Sequence, residues 1–285
     1  MKKITSIISL LLIALCINAQ GIPQTFEGEV VYETYENYSD YMLKMANSIV
    51  FNGVHKIRMI VKGDKIHIID ETTGCHTMAD AYNNQFVHYC DHTKSGLDYS
   101  ADFESQLVLL PSDITYSNFT AKLNSNTIRI TGDTTNILGH KCAVYQGEIE
   151  RDMSMIQKYN IKAHVATDLP ISNGYRYSLQ GLDVPGMPLK WVFKYDGGHV
   201  GMGVGELSYY IETDITEIIP RQVEDNEFEI PADYKIQKYN GKNPMSLMKY
   251  YSSIKKNLIK LGIKGGDNSE KTTGVHYKTN DEWDF

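Results

Sequence analysis

His55-Lys-Ile-Arg-Met-Ile-Val-Lys62-Gly63-Asp64-Lys65-Ile-His-Ile-Ile-Asp70 is the stretch that decides the fold. Two runs rich in apolar and β-branched residues flank Lys62-Gly63-Asp64, the pattern of a β-hairpin. A second hairpin follows at once, with Cys75 to Ala81 and Gln85 to Asp91 joined around Asn83-Asn84. Upstream, Thr25 to Tyr35 places Phe26, Gly28, Val30 and Tyr32 on one parity and Glu27, Glu29 and Glu33 on the other. That alternation marks a strand with one buried face.

The same reading extends downstream. Strands are expected at Asn126 to Thr131, His140 to Ile149, Ile161 to Thr167, Leu189 to Tyr195 and Glu206 to Ile219, the last broken by Pro220. Glu227 to Tyr234 reads as a closing strand and turn. Short helices are expected after the Ser39-Asp40 cap, through Met42, Leu43 and Met45, and at Asp102 to Leu110 before Pro111. The twenty tyrosines suit pleated, half-buried surfaces. The chain is therefore mainly β with minor α: a curved antiparallel sheet, or half-barrel, with short helices and a C-terminal helix.

The two ends differ from this body. Lys2 and Lys3 precede an apolar run from Ile7 to Ile17, and Ala19 offers a small residue before a cut. That is the layout of a secretory signal peptide over 1–19, too short to span a bilayer. Cys16 raises a lipoprotein reading, but Leu15 stands where a lipoprotein cleavage site wants a small residue. The 28 basic and 35 acidic residues give a charge of −7; losing Lys2 and Lys3 with the leader makes it −9 over 266 residues. Such a balance argues against nucleic-acid binding, which rests on a basic face. Domain 20–240 holds the β body. Within 241–266, Asn243 and Pro244 can start an amphipathic helix, with Met248, Tyr251, Leu258 and Leu261 at helical spacing. Lys249, Lys255, Lys256, Lys260 and Lys264 supply its polar side, and Gly265-Gly266 ends it. Residues 267–285 are polar and read as a disordered tail.

Several segments resemble known envelope families. Phe26-Glu-Gly28-Glu-Val-Val-Tyr32 and the Val61-Lys-Gly-Asp-Lys-Ile66 hairpin look like strands of the LolA/LolB-like half-barrel. Ile137-Leu-Gly139-His-Lys-Cys142 resembles the G-x-K-C strand of the GLPGLI family and related domains of unknown function. That family's later W-Y-T…I-P-I…G segment is echoed by His164-Val-Ala-Thr-Asp-Leu-Pro-Ile171 and Gly174-Tyr-Arg-Tyr, without the tryptophan. The name-giving motif is degraded to Gly181-Leu-Asp-Val-Pro-Gly186-Met-Pro. The resemblance spans about 25 to 236. It implies a curved sheet wrapped around an apolar concavity partly closed by helices, and lipoprotein or lipid carriage among the best-studied relatives.

Chemistry-bearing residues are few. After loss of the leader three cysteines remain: Cys75, Cys90 and Cys142. An exported chain meets an oxidising compartment, and a turn near Asn83 sets Cys75 opposite Cys90, a disulfide candidate that leaves Cys142 buried and free. A metal site is the competing reading. His88, Cys90 and His92 share one strand face and Cys75 could join them, but three alternating residues span about 13 Å, too far for His88 and His92 to share an ion. His76 is expected to point the other way as an ordinary surface residue. Gly197-Gly-His-Val-Gly201-Met-Gly203-Val-Gly205 lacks the following helix and the Lys-Ser/Thr pair of a phosphate loop; it reads as a hairpin whose glycines let a strand bend. There is no G-x-S-x-G elbow. No cofactor is assigned.

Trp191 and Phe193 share a parity beside Leu189, so they serve as core and, in a half-barrel, as cavity wall. A lining of Met187, Trp191, Phe193, Met202 and Tyr209 would bind an acyl chain by non-directional burial. The expectation is a non-enzymatic protein of the periplasm or outer envelope, exported through its signal peptide, that binds an apolar small molecule or lipid, including a lipoprotein's acyl chain. The alternatives are an envelope interaction protein with a filled core whose C-terminal segment engages a partner, and a cryptic hydrolase. The 244–264 helix has three readings: a lid on the sheet, a peripheral contact with anionic lipid, or a contact with a partner protein.

Overall fold

A computed structural model of the protein describes residues 25–38, 53–100, 122–152, 156–179, 182–199, 206–239 and 244–263. Within them, thirteen strands build one open, curved sheet. The first meander comprises β1 (Gly28–Tyr38), β2 (Gly53–Lys62), β3 (Lys65–Asp70), β4 (Cys75–Asp80), β5 (Gln85–Cys90) and β6 (Ser95–Asp98). The second comprises β7 (Lys122–Asn126), β8 (Arg129–Ile137), β9 (His140–Asp152), β10 (Ile156–Ala166), β11 (Met187–His199) and β12 (Glu206–Pro220). β1 and β12 pair antiparallel from Gly28↔Pro220 to Tyr38↔Tyr209, which welds the two meanders into one sheet. A short β13 (Lys235–Lys238) adds to β6 in parallel. At the other edge β7 and β8 share β9. The fold class read from the sequence is the one observed.

The hairpin at 55–70 forms as the sequence indicates. Lys62 faces Lys65, and Gly63 takes the left-handed φ of 55° that the reversal needs. A short helix, α1 (Asn173–Tyr177), docks on this turn. Ser172 caps it by accepting from the Tyr175 N–H, and the Gly174 N–H donates to the Gly63 carbonyl at 2.9 Å. A Cβ on Gly174 would stand 2.8 Å from that oxygen, so only glycine allows the approach.

Strand alternation sorts the side chains onto two faces. The core face collects Val30, Met59, Val61, Ile66, Phe86, Leu97, Ile161, Trp191 and Phe193 in one cluster, closed by Phe26, Tyr175, Leu179, Leu182 and Val184. Burial on this scale is the main driving force for the fold, at about 25 cal/mol per Å² of apolar surface. A helix, α2 (Pro244–Lys260), lies over the β4–β6 end of the same face. Tyr251, Ile254 and Leu258 form its buried stripe, whereas Leu261, read from the sequence as part of that stripe, is 56% exposed. The helix ends at Lys260, and Leu261 lies beyond it.

Several strand boundaries differ from the sequence reading; the strand expected at Ile161 to Thr167, for one, begins at Ile156. Asn126 to Thr131 is not one strand: β7 stops at Asn126 and β8 starts at Arg129. Between them Ile128 crosses over Gly147, where a Cβ would meet Ile128 backbone at 2.6 Å. The strand around Trp191 runs longer, from Met187 to His199. The segment 227–234 is not a strand. A 3₁₀ turn at Asp225–Phe228, closed by a reciprocal Glu224–Glu227 capping box, delays the closing strand to Lys235. The expected helices near 42–45 and 102–110, residues 200–205 of the glycine-rich stretch, the leader and the tail from 264 lie outside the described residues. No helix among the described residues is long and apolar enough to cross a membrane.

Candidate functional site

Five of the nine histidines fall between residues 55 and 92. The first meander holds four of them on its strands, and the chain after β12 wraps both faces of that meander. Phe228, Ile230, Tyr234 and Ile236 pack over Met78, Val87 and Tyr89 on the outer face. The chain then rounds the β6 edge, where Tyr239 joins the main core, and returns as α2 on the core face. Residues 223–239 and 244–263 thus clasp strands β3 to β6.

On the core face, Asp70, Cys75, Cys90 and Ser95 stand in one cross-strand row. Cys75 and Cys90 are paired as a disulfide, with Cα atoms 4.1 Å apart. Cys142 is free and buried. Both expectations for the cysteines hold. The next residue on this face of β5 is His88, 7% exposed. Its Nδ1 lies 3.0 Å from the Tyr250 hydroxyl, and the Tyr250 and Tyr251 rings pack against it at 5.8 and 5.6 Å. The Tyr250 hydroxyl also reaches the His88 and Ser95 carbonyls at 3.2 and 3.4 Å. Those carbonyls only accept, so the hydroxyl donates when it bonds to them and is then free to accept from His88 Nδ1. Burial pushes the His88 pKa down to about 4, which keeps the ring neutral. His92 is exposed, beyond the end of β5, with its ring against Gly74.

Beside this row, His55 Nδ1 lies 3.3 Å from Asp70 Oδ2 and Nε2 lies 4.0 Å from Glu36 Oε2. Burial alone would raise Asp70; the His55 contact and two bonds from Thr73 outweigh it and hold the carboxyl below its ordinary range. The imidazole is 5% exposed, which makes this group a buried polar brace.

The outer face carries a second histidine group that sequence reading missed. His67 Nδ1 faces the Glu227 carbonyl at 2.8 Å and therefore carries the proton. His67 Nε2 accepts, with His76 Nδ1 at 2.9 Å and the Tyr89 hydroxyl at 3.2 Å. Burial lowers the His67 pKa to about 4, which keeps that ring neutral. His76 stacks on Tyr89 at 4.6 Å, and its Nε2 stands 3.1 Å from Asp91 Oδ1. Tyr234 donates to the same Asp91 oxygen at 2.6 Å. His76 does point away from Cys75, as expected, but it is no ordinary surface residue. The covering segment at 223–238 makes the difference, and nothing local to His76 announces it.

The expected ligand wall is placed differently from the histidines. Met187, Trp191 and Phe193 are 0%, 8% and 1% exposed, embedded in the main core with the Tyr32 ring tilted against Trp191 at 6.1 Å. Met202 and the Tyr209 side chain lie outside the described residues. Two clefts are seen elsewhere. One, of about 740 Å³, is lined by Thr25, Phe26, Lys62, Asp168 and Arg221 among others. The other, of about 360 Å³, lies between β3–β4 and the 3₁₀ turn. Neither is lined by the three core residues. On the outer face of the second meander, Lys190 pairs with Glu212 and, at 2.8 Å, with Asp214, while Tyr210 donates to Glu212 at 2.8 Å. The 1% exposed Glu212 carboxylate is thereby neutralised within the sheet.

No family model matches the chain, and no curated protein matches it. Among solved structures it is similar to PNGF-II, determined in space group P21, at 12% identity and a TM-score of 0.38 over 78% of this chain. The chain spans 34% of that protein's length.

Proposed function

We propose that the protein is a non-enzymatic interaction protein of the cell envelope, a rigid sheet that presents its C-terminal helix to a partner. The observation that carries this reading is the filled core face. An acyl chain would have to displace side chains of the protein itself, because Met187, Trp191 and Phe193 are at most 8% exposed within a core that also holds Phe26, Tyr175, Leu179 and Leu182. Apolar side chains are instead offered outward at the end of α2. Ile259 and Leu261 are 52% and 56% exposed, beside the exposed Lys256 and Lys260. Exposed apolar groups gathered at one place are a usual mark of a docking surface.

The carrier reading requires α2 and the α1 region to leave the core face before a lipid could enter. The interaction reading requires no rearrangement. A photo-crosslinking residue at Leu261, introduced in the protein's own cell, is expected to give one discrete protein adduct. The same residue at Tyr82, 83% exposed in the β4–β5 turn, serves as control. Equal adduct patterns from both positions, or none from Leu261, would overturn the proposal.

A further inference from the structure

The row that carries the disulfide contains more donor chemistry than a disulfide needs. One ligand atom each from Cys75, His88 and Cys90 lies within 4.8 Å of the other two, and all three residues are buried. A tetrahedral or trigonal ion bound by sulfur and nitrogen at about 2.0–2.3 Å needs donors separated by less than this, within reach of side-chain rotation. The imidazole is already fixed. Tyr250 holds Nδ1 at 3.0 Å, the kind of outer hydrogen bond that orients metal-bound histidines, and Nε2 is the ring atom this contact does not engage. Ile254 and Leu258 of α2 roof the cysteines, which excludes water.

We propose that reduction of Cys75–Cys90 turns this row into a two-thiolate, one-imidazole site for a thiophilic d10 cation, Cu(I) or Zn(II). A dithiol reductant supplies two electrons and two protons to the cystine and departs as its own cyclic disulfide, leaving two cysteine thiols. Ion binding releases both thiol protons to solvent, and the two thiolates with neutral His88 close the site. Sulfur donors select these ions over magnesium or calcium, which prefer oxygen. Oxidation by a disulfide of the same reductant class reverses the step and expels the ion. Because Tyr250, Ile254 and Leu258 sit directly on the row, the redox state also sets how α2 is seated.

The test uses the full protein with Cys142→Ser, so that every remaining thiol after leader removal belongs to the row. The oxidised and the phosphine-reduced protein are each titrated under nitrogen with Cu(I) against a chromophoric chelator and with Zn(II) against a second one, and native mass spectra are recorded. The expected result is one equivalent bound by the reduced form with either ion or with one of them, and none by the oxidised form. His88→Gln is expected to weaken binding at least tenfold while the oxidised variant keeps the parent circular dichroism. Equal uptake by oxidised and reduced protein would overturn the site. So would undiminished affinity in His88→Gln, or a reduced protein that unfolds and stays unfolded when the ion is added. Refolding on ion addition supports it. The arm that binds names the ion.

Discussion

The two meanders of the sheet are held together by different chemistry. Strands β9 to β12, together with β1, rest on apolar packing: Ile161, Val165, Val192 and Phe193 are at most 1% exposed, and the one buried carboxylate, Glu212, is met by Lys190 and Tyr210. Strands β3 to β6 are short, four to six residues each. Their stability is supplemented by a disulfide, by two neutral buried histidines and by a returning C-terminal segment on both faces. The β9–β12 half should therefore respond to loss of volume, and the β3–β6 half to loss of a specific bond or proton state.

The largest expected effect lies in the packed half. Phe193→Ala should cost about 3–5 kcal/mol, because the removed ring leaves a cavity among Ile161, Ile211 and Trp191 that the sheet cannot collapse around. Urea unfolding should show the midpoint fall with little change in slope. A loss under 1 kcal/mol would mean that this half is not the tightly packed one.

The disulfide comes next. The pair closes a loop with a sequence separation of 15, for which its removal should cost about 3 kcal/mol. Cys75→Ala with Cys90→Ala should lower the global stability by that order. Hydrogen exchange should accelerate first in β4, β5 and α2, before β10 and β11. Uniform acceleration across both meanders would erase the distinction between them.

A smaller effect follows from His67. Its pKa in the folded protein is about 4, below the ordinary value of 6.5, so the neutral ring is the bound form. The stability it contributes is fully present above pH 6.5 and is lost as the pH falls toward 4. The groups facing it are His76, Tyr89, Arg58 and the Glu227 carbonyl, with Asp91 and Tyr234 behind His76. Between those pH values the 223–238 segment should exchange its amides faster. His67→Gln, which keeps a donor but cannot titrate, should flatten this dependence by one proton. An unchanged pH profile in that variant would remove His67 as its source.

The smallest effect is at the outer end of α2. Ile259→Asp and Leu261→Asp should change stability by less than about 0.5 kcal/mol, since both side chains are exposed. Ile259→Asp, combined with the photo-crosslinking residue at 261, should abolish the adduct expected from this surface. A stability loss above 1 kcal/mol would show that the end of α2 is part of the fold rather than a docking surface.

The contrast between the halves also explains what the sequence makes legible. Period-two alternation exposes β1, β2 and β3 because each buries one face against a continuous core. The Cys75–Cys90 pairing is readable because the Asn83-Asn84 turn fixes its register. β13 is invisible: Lys235-Ile-Gln-Lys238 is short, charged and pairs in parallel with a strand 140 residues earlier. The His67–His76 contact is hidden for the same reason. Adjacent strands place the two rings together, but their burial depends on Glu227, Phe228 and Tyr234 arriving from beyond β12. The place of Trp191 and Phe193 on a core face was readable. Whether that face stays open depends on α1 and Phe26, which are held by contacts distant in sequence: Asn173 and Gly174 on the 63–64 turn, and Phe26 on the Pro170 carbonyl.

The central claim is that the core face is filled by the protein's own chain. Native mass spectrometry of the protein purified from its own cells, with organic extraction of the sample, tests it most directly. The account predicts the bare polypeptide mass, unchanged after incubation with envelope lipids. A stoichiometric lipid released only on denaturation, and lost in a folded Trp191→Asp variant, would contradict it and restore the carrier reading.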